Sequence, residues 1–91
     1  MEKYTTNEKS NLAAKLARLC VEITEKTKAE AWFDYMGSID CMDVYIYPEG
    51  WNERVDERPQ HLTIGFKSFH ATENEIKEAL EVLEGLLKGA K

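Results

Sequence analysis

The chain has 91 residues, of which 43% are hydrophobic and 32% charged, and its formal net charge is −5. This length and balance predict one globular domain with a modest core and exclude a disordered chain. The negative charge argues against a protein that mainly binds a phosphate backbone, because that function needs clustered Lys and Arg. Residues 29–70 carry eight acidic and three basic residues, so we expect a partner of this region to be basic or mixed in charge.

The first element is predicted to be a helix over about 6–28. Thr5 is followed three residues later by Glu8, which matches the capping box at a helix N-terminus, although Thr6 or Asn7 could equally serve as the cap. Apolar residues then recur at helical spacing and form a continuous stripe. The members of this stripe are Leu12, Leu16, Leu19, Cys20 and Ile23.

A β-hairpin follows the helix. Period-two patterning predicts two strands, about 30–36 and 39–47. Gly-Ser at 37–38 suits a two-residue type II′ turn, which would pair Met36 with Ile39. This register places the apolar residues of both strands on one face. The opposite face carries Trp32, Asp34, Cys41, Asp43, Tyr45 and Tyr47.

The C-terminal half is predicted to contain a loop, a strand and a helix. Segment 48–60 shows no periodicity and is long for a loop in a compact domain, which favours a functional or mobile segment. Alternating apolar residues predict a third strand over about 61–67. A second capping box, Thr72 with Glu75, predicts a helix over about 72–88.

These elements predict an α+β fold in the order α-β-β-β-α. A sheet with one apolar face must be covered, and two amphipathic helices can cover it. We therefore expect a three-stranded antiparallel sheet with both helices packed on the face of Phe33, Val44 and Ile64. The other face is expected to stay open.

The predicted element order resembles that of the double-stranded-RNA-binding domain and spans most of the chain. That family uses a lysine cluster at the start of its last helix and a Gly-Pro-x-His-type loop after its first strand. The corresponding residues here are Thr72-Glu73-Asn74-Glu75 and Gly37-Ser38-Ile39-Asp40. The resemblance therefore implies the fold and assigns no RNA-binding residue.

A second resemblance covers about half the chain. The runs Trp32-Phe33-Asp34-Tyr35-Met36-Gly37 and Val44-Tyr45-Ile46-Tyr47-Pro48-Glu49-Gly50-Trp51 are similar to small, mostly uncharacterised proteins encoded by prophages of Gram-positive bacteria. This resemblance implies a phage or mobile-element context and no particular activity.

The two cysteines form neither a disulfide framework nor a CxxC metal motif, so reduced thiols in a cytosolic compartment are expected. The prophage resemblance implies that this compartment is the cytoplasm of a bacterial host cell. No stretch approaches the roughly 18 apolar residues of a membrane span, and residues 1–6 contain no apolar signal-peptide core, so we expect no membrane association.

No motif of the sequence predicts catalysis. The chain lacks a phosphate-cradling glycine loop, a nucleophile elbow and an HExxH motif. His61 shares the polar sheet face with Asp34 and Asp43, but its spacing matches no metal site and an open face does not exclude water. We therefore predict no catalytic residue, no metal site and no cofactor.

The open sheet face is the candidate site, because Trp and Tyr are residue types that anchor interfaces. We predict a non-catalytic protein-binding module, such as a phage-encoded adaptor or inhibitor that occludes a host protein, for instance a nucleic-acid-handling enzyme. The predicted partner-binding residues are Trp32, Asp34, Asp43, Tyr45, Tyr47, Glu49, Trp51 and Glu53. Three alternatives remain open: nucleic-acid binding through the exposed sheet aromatics, a homodimer through this face, and coverage of the face by loop 48–60.

Overall fold

The computed structural model describes residues 4–50, 59–67 and 72–89. Its elements are α1 (Thr6–Lys26), β1 (Glu30–Met36), β2 (Cys41–Tyr47), β3 (Gln60–Gly65) and α2 (Thr72–Lys88). The strands form one antiparallel sheet in the order β1-β2-β3. Helix α1 contacts β1, α2 contacts β3, and the two helices contact each other. The predicted α+β fold is confirmed. None of the described helices has both the length and the apolar content needed to cross a membrane.

The core lies between the two helices and one face of the sheet. Its most deeply buried side chains include Leu16 and Ile23 of α1, Leu83 of α2, and Val44 and Ile64 of the sheet. Phe33 is partly buried and packs against this cluster, as the alternation of β1 predicted. Burial of large aliphatic side chains is the main term that stabilises such a small domain.

Threonine side chains cap both ends of helix α1. Thr5 is the N-cap, and its hydroxyl accepts the N–H of Glu8 at 3.1 Å while the Glu8 carboxylate accepts the N–H of Thr5 at 3.0 Å. The predicted capping box is therefore present. At the other end the Thr27 hydroxyl donates to the carbonyl of Ile23 at 2.8 Å and accepts the N–H of Ala29 at 2.9 Å. These two hydrogen bonds of the Thr27 hydroxyl end α1 at Lys26, two residues before the predicted boundary.

The hairpin register differs from the prediction by two residues. Met36 pairs with Cys41 and not with Ile39, so the connection is the segment 37–40 and not a two-residue Gly-Ser turn. The reason lies at Asp40, which has φ 52°, a left-handed conformation that Asp tolerates better than most residues. A shift of two residues keeps every side chain on its predicted face, because side chains in a strand alternate with period two.

Asp40 connects the hairpin to two other segments. Its carboxylate lies 2.7 Å from the Nζ of Lys9 in α1 and accepts the Tyr35 hydroxyl at 3.3 Å. Its carbonyl accepts the N–H of Phe66 at 3.1 Å, directly after the last paired residue of β3. The third strand therefore ends at Gly65, earlier than the predicted residue 67.

Both edges of the sheet receive side chains from the helices. On β1, the Thr24 hydroxyl accepts the N–H of Ala31 at 3.0 Å and donates to its carbonyl at 3.4 Å. On β3, the Glu75 carboxylate accepts the N–H of Gly65 at 3.1 Å and the Thr72 hydroxyl donates to its carbonyl at 2.7 Å. Each helix thus satisfies backbone groups on one edge of the sheet.

Candidate functional site

The alternation of the three strands places one set of side chains on the sheet face away from the helices, which we call the open face. Its members on β1 are Glu30, Trp32, Asp34 and Met36; on β2, Cys41, Asp43, Tyr45 and Tyr47; and on β3, His61 and Thr63. None of these residues belongs to the hydrophobic core cluster between helices and sheet. The predicted division of the two strands of the hairpin into faces is present in the structure.

Aromatic side chains occupy one end of the open face. Trp32 is 47% exposed, its ring centroid lies 5.5 Å from that of Tyr47, and its indole N–H donates to the Glu30 carboxylate. Tyr45 stacks on His61 with centroids 4.4 Å apart and ring planes 6° apart. Because directly opposed residues of β2 and β3 hold this stack, both rings are fixed by the strand pairing.

Asp43 lies at the centre of the open face and is 3% exposed. Its Oδ1 is 2.7 Å from Nε2 of His61 and accepts the Thr63 hydroxyl at 2.9 Å. The Thr63 hydroxyl is also 3.0 Å from the same ring nitrogen of His61. Asp43 was predicted as a partner-binding residue, and in the structure it is a buried carboxylate whose partners make it a structural acceptor.

Asp34 is the exposed carboxylate of the open face. It lies on β1 directly opposite Asp43, and like charges at directly opposed strand positions destabilise a sheet. Among the described residues, the open face contains no Lys or Arg that would offset this repulsion. A cation supplied from outside the face would therefore meet a favourable potential beside Asp34.

The environment of the open face raises the pKa of two ionisable groups on β2. Burial raises the pKa of the Cys41 thiol, and the charge of Asp43, whose Oδ2 lies 3.8 Å from Sγ, raises it further. Desolvation, followed by the charges of Asp43 and Asp34, raises the pKa of Tyr45. A thiol with a raised pKa is a poor nucleophile, so the geometry supports a passive Cys41.

Burial raises the pKa of Cys20 in α1 from 9.0 to about 11. We expect the thiols of Cys20 and Cys41 to react slowly with iodoacetamide in the folded protein at pH 8 and quickly in denaturant, as measured by mass spectrometry. The unfolded chain therefore loses the Cys20 proton first as the pH rises, and Cys20 contributes stability that is complete below pH 9 and falls between pH 9 and about 11. Rapid labelling of the folded chain would contradict this account.

The remaining predicted partner-binding residues lie off the open face or outside the described structure. Glu49 follows β2 and its carboxylate lies 3.1 Å from the Nζ of Lys28, so it is an exposed ion-pair member beside the face. Trp51 and Glu53 lie outside the described residues, as does most of the predicted loop 48–60. Gly50, the last described residue before this gap, has φ 82° and donates its N–H to the carbonyl of Tyr47 at 3.0 Å.

Five open-face residues were missing from the predicted site: Glu30, Met36 and Cys41 of the hairpin, and His61 and Thr63 of β3. His61 and Thr63 were placed on the polar side of β3 by alternation, but the sequence contained no sign of which β2 residues they would face. The pairing of Tyr45 with His61 and of Asp43 with Thr63 brings them into the site. Across the described residues, no group of three or more Cys, His, Asp and Glu side chains is arranged to hold a metal ion.

Comparison of the chain with protein-family models, with curated proteins and with solved structures gives no match. The open face must therefore be interpreted from its own geometry: an exposed indole, a fixed aromatic stack, a buried hydrogen-bonded carboxylate and an exposed carboxylate on one sheet surface.

Proposed function

We propose that this protein is a non-catalytic binding module that occludes a basic surface of another protein with its open face. The observation that carries the proposal is the position of Trp32, a half-exposed indole held beside Tyr47 on a sheet surface that the helices leave uncovered. Large aromatic side chains presented on a rigid element are typical interface anchors, because they bury much area and lose few rotamers on binding.

The charge of the open face supports the choice of partner. Asp34 is exposed and already opposed by Asp43, so binding an Arg or Lys side chain there would relieve repulsion as well as form an ion pair. A protein with a basic surface, such as a nucleic-acid-handling enzyme of a bacterial host, has the complementary charge. The prophage resemblance agrees with such a host target and stays a prediction.

The experiment compares two variants of β1 in affinity capture from bacterial lysate, followed by titration of each captured protein. Trp32→Ala is expected to weaken binding by about 2 kcal/mol or more, the range for a buried aromatic anchor. Tyr35→Ala is the matched control, because Tyr35 is 46% exposed on the same strand but projects to the other face. The single substitution Trp32→Ala is preferred to the double substitution of Trp32 and Tyr45. The Tyr45 ring stacks on His61, so its removal would also alter the packing of the sheet.

The titration also separates the proposal from nucleic-acid binding, the alternative that the exposed aromatics leave open. A partner whose affinity falls with Trp32→Ala and with Asp34→Lys supports protein binding through the open face. Equal affinities for Trp32→Ala and Tyr35→Ala would contradict it. Retardation of single-stranded DNA or RNA at low ionic strength, lost on addition of salt, would assign the face to nucleic acid instead.

A further inference from the structure

Strand β1 leaves backbone groups unpaired along the outer edge of the sheet. The N–H and C=O of Ala31 point outward, since both bond to the Thr24 hydroxyl. Strand groups alternate in direction, so those of Phe33 and Tyr35 also point outward. No hydrogen bond within the described residues reaches these outward groups of Phe33 and Tyr35. On the opposite edge α2 likewise bonds both backbone groups of one residue, Gly65.

The unpaired edge is bordered by an apolar groove between α1 and β1. Ala17, Val21 and Thr24 line the helix side of the groove, and Ala31 and Phe33 line the strand side. Val21 is 61% exposed at this position, although it lies on a helix whose other large aliphatic residues are covered. A free strand edge beside an apolar groove is the arrangement to which an added strand binds.

We propose that the strand added at this edge is β1 of a second copy of the chain. Two β1 strands related by a two-fold axis would run antiparallel. Only residues whose backbone groups point outward can bond across the new interface, so each of them must lie opposite an outward-pointing residue of the second copy. Three registers meet this condition and also pair at least two of the three outward residues of each copy: Ala31 opposite Phe33, Phe33 opposite Phe33, or Phe33 opposite Tyr35.

The charges of β1 select one of these three registers. With Ala31 opposite Phe33, Glu30 would face Asp34 of the second copy, and with Phe33 opposite Tyr35, Asp34 would face Asp34. Both arrangements oppose like charges. With Phe33 opposite Phe33, Asp34 faces Trp32 and Glu30 faces Met36, so no carboxylate opposes another. Among these three registers, β1 is therefore self-complementary only with Phe33 opposite Phe33, which places the groove-lining Phe33 of each copy at the two-fold axis.

This dimer would extend the sheet to six strands and leave the open face of each copy accessible. It is therefore independent of the proposed binding function and distinct from a face-to-face dimer. In forming it, the backbone groups of Ala31 would exchange the Thr24 hydroxyl for Tyr35 of the second copy. The two Phe33 side chains and the two Val21 side chains would cover each other at the two-fold axis.

The test is sedimentation equilibrium of the full chain over a wide concentration range. The expected result is a concentration-dependent mass that reaches twice the 10.5 kDa of one chain. A single-chain mass up to the highest soluble concentration would overturn the proposal, and the free edge would then be left to an extended segment of another protein.

The register is tested by Met36→Glu and Met36→Lys, two charged changes at one exposed position. Opposite Glu30 of the second copy, the first creates two like-charge pairs and the second creates two ion pairs. We expect the dissociation constant of the dimer to be about tenfold higher for Met36→Glu than for Met36→Lys. Circular dichroism should show the same fold for both. Equal dissociation constants would overturn the register with Phe33 opposite Phe33, even if the chain is a dimer.

Discussion

Replacing Leu83 with alanine is expected to lower the free energy of unfolding by about 2–5 kcal/mol, the range for truncating a buried leucine. Leu83 is 0% exposed in α2 and belongs to the cluster that joins both helices to the sheet. The loss combines the transfer free energy of the removed methyl groups with the cavity that neighbouring side chains cannot fill. Urea unfolding followed by circular dichroism measures the change, and the melting temperature should fall by about 8 °C or more.

Ile39→Ala is the matched control for Leu83→Ala. Ile39 is also a large aliphatic residue, but it lies exposed in the hairpin connection. Its backbone N–H bonds to the carbonyl of Met36 and is retained in the variant. We expect this substitution to change the free energy of unfolding by less than about 0.5 kcal/mol. Similar losses for the two variants would mean that α2 does not cover the sheet as described.

Asp43→Ala is expected to lower the free energy of unfolding by about 1–3 kcal/mol, although Asp43 lies on the face opposite the core. The substitution removes the acceptor that His61 and Thr63 share and leaves a void in the centre of the open face. Asp43→Asn keeps the shape and one carbonyl oxygen, so its loss should be smaller. Urea unfolding at neutral pH measures both changes.

Asp34→Ala is the matched control for Asp43→Ala, since the two aspartates oppose each other across β1 and β2. Asp34 is exposed, and its removal relieves a like-charge contact. The free energy of unfolding should therefore be unchanged or higher by roughly a few tenths of a kcal/mol. Equal losses for the two variants would contradict the assignment of Asp43 as the structural carboxylate and of Asp34 as the free one.

Much of the fold could be predicted from the sequence because periodicity is local. The stripe ending in Ile23 and the alternation around Phe33 each define a face without knowledge of any other segment. The hairpin turn could not be predicted in this way. Gly37-Ser38 suits a two-residue turn, but the left-handed conformation of Asp40 is stabilised by Lys9 and Phe66, which lie far from it in sequence.

The candidate site was predictable to the extent that it follows from the same alternation. Trp32, Tyr45 and Tyr47 were placed on one face, and the structure brings them together there. The role of Asp43 was not predictable, because it depends on the register between β2 and β3, which are separated by the segment 48–59. Composition identified an acidic surface, whereas the pairing shows which of its two aspartates keeps an exposed charge.

The contacts of Asp40 make three distant parts of the chain interdependent. Asp40 bonds to Lys9 in the first turn of α1, to Phe66 directly after β3, and to Tyr35 in β1. A fluctuation that opens the hairpin tip must therefore also release the start of the N-terminal helix and the end of the last strand. We expect these segments to open as one cooperative unit, so the hydrogen-bonded amide protons of Ile39 and Asp40 should exchange as slowly as those of the elements to which the tip is bonded.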